Sequence, residues 1–120
     1  HVLLWHAEAA NENTDPQAAL TSLNKVRARA RDDDDNPSND LDGVLPEITT
    51  TDQSELRTII WHEQRVEFAM EYQRFFNLVR QGRTDRLTDE GFEEGVNERF
   101  PIPQEQLDQG TALEQNPGYQ

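Results

Sequence analysis

Apolar residues recur every three or four positions at the beginning of the chain, which is the spacing of one face of an α-helix. Over residues 2–12 this stripe consists of Leu3, Ala7 and Ala10, with Leu4 beside it. The spacing predicts a first helix that packs along one apolar face.

A polar break separates this helix from a second one. Pro16 directly after Asp15 is typical of a helix whose first turn holds the proline and whose cap is the aspartate. Apolar residues then recur three or four apart as far as Ala30, so the second helix is predicted to end near that residue. Residues 1–30 therefore predict an antiparallel helical hairpin of the tetratricopeptide type, although the sequence holds no second copy of the repeat.

The stretch over residues 31–51 has the composition of a loop. It begins with five consecutive charged residues and contains two prolines and a glycine, so it cannot be helical throughout. Its acidic side chains offer the hard oxygen ligands that Ca²⁺ takes. Their spacing differs from that of the helix–loop–helix calcium site, and a solvated acidic loop is the preferred interpretation. The calcium candidates are Asp32, Asp34, Asp40 and Asp42.

A long helical pattern follows over residues 52–82. Asp52 with Glu55 three positions later is the arrangement of a capping box at a helix start, and Gly82 is placed to end the segment. The apolar residues of this segment fall on two nearly opposite faces. The pattern therefore indicates either one central helix covered on both sides or a pair of helices with a kink near Tyr72.

Charged residues stand among aromatic residues in the second half of this segment. We expect them to be paired, because a buried charge without a partner is costly. The glutamates are expected to bind backbone amides or arginines of the hairpin and the tail, so that Glu67→Ala is expected to impair folding. The predicted structural charge network consists of Glu63, Arg65, Glu67, Glu71, Arg74 and Arg80.

Residues 83–120 are predicted to form an irregular tail that wraps around the helices. Pro101 and Pro103 impose an extended strip, because proline pushes the preceding residue out of the helical region. The tail is expected to supply three apolar side chains to the core, namely Phe100, Ile102 and Leu107. The predicted fold class of the chain is all-α.

The composition limits the classes of protein to which the chain can belong. Its 120 residues suffice for a single domain, and 24 acidic against 11 basic groups give a net charge of −13. This charge repels nucleic-acid phosphates, so we expect no nucleic-acid partner. The acid excess, with Lys25 as the only lysine, is typical either of a salt-adapted protein or of one acidic loop on an ordinary surface. Because there is no cysteine, disulfides and thiolate metal sites are excluded.

Two features point to chemistry, and the residues favour a structural role for both. His62 and Glu63 begin the H-E-x-x sequence of zinc proteases, but the second histidine of that motif is missing. Trp5 and Trp61 have ring faces that could stack on sugars, yet both lie on helical patterns that predict packing. We therefore expect no catalytic residue, no cofactor and no metal, and retain Trp5 as the candidate for ligand binding.

The chain contains several ordered blocks, VLLWHAEAANE, ALTSLNKVRARA, HEQRVEFAMEYQRFFNLVRQG, RFPIPQEQLD and LEQNPGY. Together they resemble the C-terminal part of the SusD/RagB family of outer-membrane nutrient-binding lipoproteins, and they cover nearly the whole chain. Three residues differ from the family pattern: Tyr72 stands where glycine is usual, Asn77 where aspartate is usual, and Gln81 where tryptophan is common.

This resemblance implies a mostly helical, noncatalytic protein on the external face of the outer membrane, anchored by a lipid at an N-terminus absent here. Members capture glycans, or in some cases peptides, and pass them to a TonB-dependent transporter of the SusC type. They are several times longer than this chain, so we expect a C-terminal fragment whose ligand-stacking aromatic residues lie mostly in the missing part. Such a fragment is expected to expose apolar surface and to self-associate.

Two other functions are compatible with the residues. One is a helical protein-interaction module of the tetratricopeptide type that binds a partner in its groove. The other is an acid–base hydrolase with paired carboxylates, which rests on the acidic content alone.

Overall fold

A computed structural model describes residues 1–32, 45–110 and 112–119. Within these residues all regular secondary structure is helical, which confirms the predicted all-α class. The elements are α1 (Val2–Glu12), α2 (Pro16–Asp32), α3 (Gln53–Glu67), α4 (Arg74–Arg80), a 3₁₀ helix (Thr84–Glu90) and α5 (Gln104–Gln109). Across the described part of the chain, no helix has the length and apolar character needed to span a membrane.

The chain divides into two compact units, His1–Tyr72 and Gln73–Gln120. The first unit contains the predicted hairpin of α1 and α2 together with α3. The second contains α4, the 3₁₀ helix and α5. We describe each unit by itself.

The turn of the hairpin forms as its residues predict. The Oδ1 atom of Asp15 accepts a hydrogen bond from the backbone N–H of Ala18 at 3.0 Å, which caps α2. Thr14 adopts a left-handed conformation with φ of 61°, so the chain reverses over three residues. The second helix continues to Asp32, slightly beyond the end that periodicity predicted.

The core of the first unit lies between α1, α2 and α3. On α1 the buried residues are Leu4, Ala7 and Asn11, whereas Leu3 is exposed. Of the predicted stripe, Ala7 is buried and Ala10 packs half-buried against the core, but Leu4 takes the place of Leu3. Since α1 carries apolar residues nearly all round, periodicity could not fix the inward face. The buried apolar cluster consists of Leu4, Ala7, Ala19, Leu20, Leu23, Val26, Leu56, Ile60 and Phe68.

The predicted long helical segment is a pair of helices. Asp52 caps α3 by accepting a hydrogen bond from the N–H of Glu55 at 2.8 Å, and α3 ends at Glu67. Beyond it, Met70 and Tyr72 have positive φ values of 67° and 58°. An α-helix of L-residues cannot pass through left-handed positions. The single-helix alternative is therefore wrong, and the alternative with a break near Tyr72 is the one observed.

In the second unit, aromatic contacts join the short helices. The ring of Phe75 meets Phe92 edge-to-face, with centroids 6.1 Å apart. The extended strip after Phe100 is held through its backbone, because the side-chain amide of Gln115 both accepts from the N–H of Ile102 at 2.8 Å and donates to its carbonyl at 2.9 Å. Phe100 itself is 75% exposed, so its predicted role in the core is wrong. Ile102 and Leu107 are half-buried.

Candidate functional site

A buried ion pair joins α2 to α3. The Nη1 atom of Arg27 lies 2.8 Å from Oε2 of Glu63, and the two side chains are 10% and 7% exposed. Arg27 also donates from Nε and Nη2 to the carbonyl oxygen of Pro46, at 3.1 and 2.9 Å. One guanidinium therefore connects α3 with the extended segment that precedes it, and each charge has its hydrogen bonds satisfied as a buried pair requires.

The next two glutamates along the chain also have partners from the hairpin. Glu67 accepts a hydrogen bond from Nη2 of Arg29 at 2.6 Å, in a pair whose arginine is 67% exposed. Oε2 of Glu71 lies 2.6 Å from Nε2 of His1. The three acidic side chains that stand four residues apart thus each face a separate partner, which removes their mutual repulsion. The pair of Glu63 is the more deeply buried of the two ion pairs with arginine, because Arg29 beside Glu67 is 67% exposed.

Three further members of the predicted charge network are Arg65, Arg74 and Arg80. Arg65 is exposed on α3. Arg74 and Arg80 belong to the second unit, where Nε of Arg80 donates to Oδ1 of Asn77 at 3.1 Å. The sequence identified the charged helix, but spacing within one helix could not show which distant residues would meet it.

Glu8 on α1 forms a contact that sequence reasoning missed. Its two carboxylate oxygens accept hydrogen bonds from Nε1 of Trp61 at 2.9 Å and from Nε2 of Gln64 at 2.7 Å. The polar edge of the Trp61 indole is therefore fixed to α1, and the ring is half-buried. A glutamate placed between apolar residues of α1 was the available signal, because such a position faces a neighbouring helix.

Glu12 and Arg57 form a second link between α1 and α3, at the surface. Nε and Nη2 of the arginine donate to the two carboxylate oxygens at 2.5 and 2.6 Å, which is a bidentate pair. The hydrogen bond from Arg57 lowers the pKa of the Glu12 carboxyl. The same contact raises the pKa of Arg57. Both pKa shifts have the direction expected when a contact favours the charged form of each side chain.

Side chains of the hairpin also hold the extended segment that precedes α3 by its backbone. Asn24 donates from Nδ2 to the carbonyl of Ile48 at 2.8 Å, and its Oδ1 accepts from the N–H of the same residue at 2.9 Å. Nη1 of Arg31 donates to the carbonyl of Leu45 at 2.7 Å. These bonds satisfy a backbone that has no partner in a sheet or helix.

Trp5 lies at the surface, so the expectation that it packs in the core is wrong. Its side chain is 48% exposed, and the ring of His1 stacks on it with centroids 5.6 Å apart and planes 15° from parallel. The His1 ring also meets the ring of Phe68 edge-to-face, with centroids 4.2 Å apart. A cleft of about 420 Å³ opens beside the start of α1 and includes Lys25 and Arg29.

A further cleft, of about 360 Å³, lies within the second unit. Its lining combines one aromatic ring, two hydroxyls and two carboxylates. We call it the Phe92 cleft, and it is lined by Gly82, Thr84, Asp85, Thr88, Phe92 and Glu94. Sequence reasoning did not identify it, because these residues come from the end of α4, the 3₁₀ helix and the turn that follows.

Comparison with known proteins identifies the chain. The family model described as the SusD family matches residues 1–119. The chain belongs to the SusD family. This SusD chain is 31% identical over 129 aligned positions to SusD-like protein P2 of Formosa agariphila, in a match that covers 98% of the chain and 24% of that relative. It therefore spans about a quarter of the length of this curated relative. No solved structure matches it.

Family membership confirms the resemblance drawn from the ordered sequence blocks. In the SusD chain, the block that begins at His62 supplies Glu63, Glu67 and Glu71, whose partners all lie in the hairpin. The glutamates of this block thus help to hold the first unit together.

The calcium candidates fall largely outside the described residues. Asp34, Asp40 and Asp42 lie there, and Asp32 is the last residue of α2. Among the described residues of the SusD chain, no cluster of three or more histidine or acidic side chains is arranged to hold a metal ion. The preference for a solvated acidic loop over a calcium site in this region stays a prediction.

Proposed function

We propose that the chain is mainly the structural C-terminal part of a noncatalytic receptor that captures a glycan at the external face of the outer membrane. The receptor would be lipid-anchored and would deliver its ligand to a SusC-like TonB-dependent transporter. The observation that carries this proposal is the match of the SusD family to residues 1–119. Because the chain covers 24% of its curated relative, most of the ligand site is assigned to the rest of the protein.

The contacts of the first unit support the scaffold role. Its buried polar groups are used to join helices, as the pairs of Arg27 with Glu63 and of Gln64 with Glu8 illustrate. Groups held in this way are rigid and have little capacity left for a ligand. The chain would therefore position the ligand-binding parts of the receptor.

Glycan capture can be tested with the full-length protein that contains these residues. Native electrophoresis through gels that contain dissolved polysaccharides should show retardation by at least one of them, and incubation with that polysaccharide should release no new reducing ends. Isolation of the tagged protein from solubilised outer membranes should bring with it a TonB-dependent transporter of the SusC type.

The same experiments discriminate between the functions. New reducing ends would contradict a noncatalytic role and favour a hydrolase. Co-isolation of a protein partner, together with no retardation by any polysaccharide, would favour the tetratricopeptide type of interaction module instead.

A further inference from the structure

The Phe92 cleft has walls that the backbone fixes in place. The 3₁₀ helix ends at Gly91, whose φ of 83° turns the chain back. The N–H of Phe92 then donates to the carbonyl of Leu87 at 3.2 Å, which ties the aromatic residue to the helix that forms the opposite wall. The ring of Phe75 supports Phe92 edge-to-face. The cleft is therefore a formed feature of the second unit.

The polar groups of the cleft are arranged to accept hydrogen bonds. The hydroxyl of Thr88 donates to the carbonyl of Asp85 at 3.1 Å, so its oxygen lone pairs face outward as acceptors. The carboxylate of Glu94 is exposed and has no partner among the described residues. The carboxylate of Asp85 is 3.7 Å from Nε of Arg86 and largely exposed. A ligand that binds these carboxylates must bring hydrogen-bond donors.

The lining excludes two other classes of ligand. Among the described residues, no basic side chain lines the cleft, and its two carboxylates would repel an acidic sugar or a phosphate. A hard cation would need several oxygen ligands around one point. No such cluster of three or more acidic or histidine side chains is found in the residues that the structure describes.

We propose that the Phe92 cleft binds one neutral hexopyranose unit of the captured glycan. A pyranose ring has C–H groups on its faces, which pack against an aromatic ring, and hydroxyls around its edge, which donate to carboxylates. The volume of about 360 Å³ lies at the lower end of small-molecule pockets, as a subsite for a single sugar requires. This inference rests on the proposed function and adds a subsite to the main ligand site located elsewhere.

The test uses the full-length protein and two matched pairs of variants. Glu94→Gln removes a carboxylate of the cleft, and Glu90→Gln makes the same charge change at an exposed residue outside its lining. Phe92→Leu removes the aromatic ring, and Phe100→Leu does so at an exposed phenylalanine outside the lining. Affinity is measured by retardation and by calorimetric titration with amylopectin, laminarin and galactomannan, with polygalacturonate as the acidic polymer.

We expect the natural protein to bind at least one neutral polymer. Each cleft variant should weaken this binding about two- to tenfold. The loss of one hydrogen bond or one aromatic contact reduces affinity by a factor in this range. The two controls should bind as the natural protein does. Because Phe92 also packs on Phe75, a folding defect of its variant is possible, and Glu94→Gln then decides.

The contrary outcomes separate this inference from the proposed function. If a neutral polymer binds and all four variants bind equally well, the cleft is no subsite and glycan capture stands. Binding of polygalacturonate only, or heat from titration with CaCl₂ that Glu94→Gln abolishes, would overturn the neutral-sugar assignment alone. Failure to bind any of the four polymers would overturn both proposals.

Discussion

Removing the charge of Glu63 should destabilise the first unit more than removing any other charge of the network. Glu63→Gln keeps the size of the side chain and leaves the guanidinium of Arg27, 10% exposed, without its negatively charged partner. Loss of one member of a buried pair costs about 3–5 kcal/mol. At roughly 0.05–0.15 kcal/mol per residue, the 72 residues of this unit have a free energy of unfolding of roughly 4–11 kcal/mol. The variant should therefore lose about half of its stability.

Tryptophan fluorescence during urea unfolding measures this effect in the first unit, because both tryptophans of the chain, Trp5 and Trp61, lie in it. The control is Glu67→Gln, which makes the same change in an exposed pair and should cost less than about 1 kcal/mol. The double variant Arg27→Met, Glu63→Leu should recover most of the loss, because it leaves no stranded charge. Equal effects of Glu63→Gln and Glu67→Gln would refute the reasoning.

Three further predictions concern other contacts. The pKa of Glu12 is lower in the folded than in the unfolded state, so its pair with Arg57 stabilises the fold at pH values above the unfolded pKa. This stabilisation is lost as the pH falls through the folded pKa. In an NMR titration, Arg57→Gln should raise the pKa of Glu12, and an unchanged pKa would contradict the pair. Tyr72→Gly should raise the free energy of unfolding by up to about 1 kcal/mol. A left-handed conformation costs an L-residue about 1–2 kcal/mol, whereas the greater backbone entropy of glycine in the unfolded chain costs about 0.5–1 kcal/mol. A lower midpoint of urea unfolding would contradict this prediction. Asn24→Ala should cost about 1–3 kcal/mol, because it leaves the N–H and carbonyl of Ile48 without partners; hydrogen exchange at that amide should accelerate, and retained protection would disprove the contact.

Local signals predicted the hairpin well. Asp15 caps α2 and Asp52 caps α3 as their positions indicate, because a cap is decided by residues within one turn of it. The inward face of α1 was misjudged by one position, since Leu3 and Leu4 are equally apolar and only the neighbouring helices select between them.

The spacing of residues along one helix could not predict which distant residues would contact it. That Glu63 needs a cation follows from its place in the sequence, but the choice of Arg27 depends on how α2 crosses α3. The sequence could not decide where α3 ends for a similar reason. A tyrosine gives no sign that its backbone is left-handed, and the glycine usual at position 72 in the family was the one signal of it.

The hydrogen bonds between Asn24 and the backbone of Ile48 leave the residues on either side of Ile48 available for labelling. Because the amide contacts only backbone atoms, it places no demand on the side chains at Glu47 and Thr49, which are exposed. Proline is excluded at residue 48, where the N–H is needed. The chain contains no cysteine, so Thr49→Cys would give a single attachment point for a spin label. Such a label would report directly on release of this segment from α2.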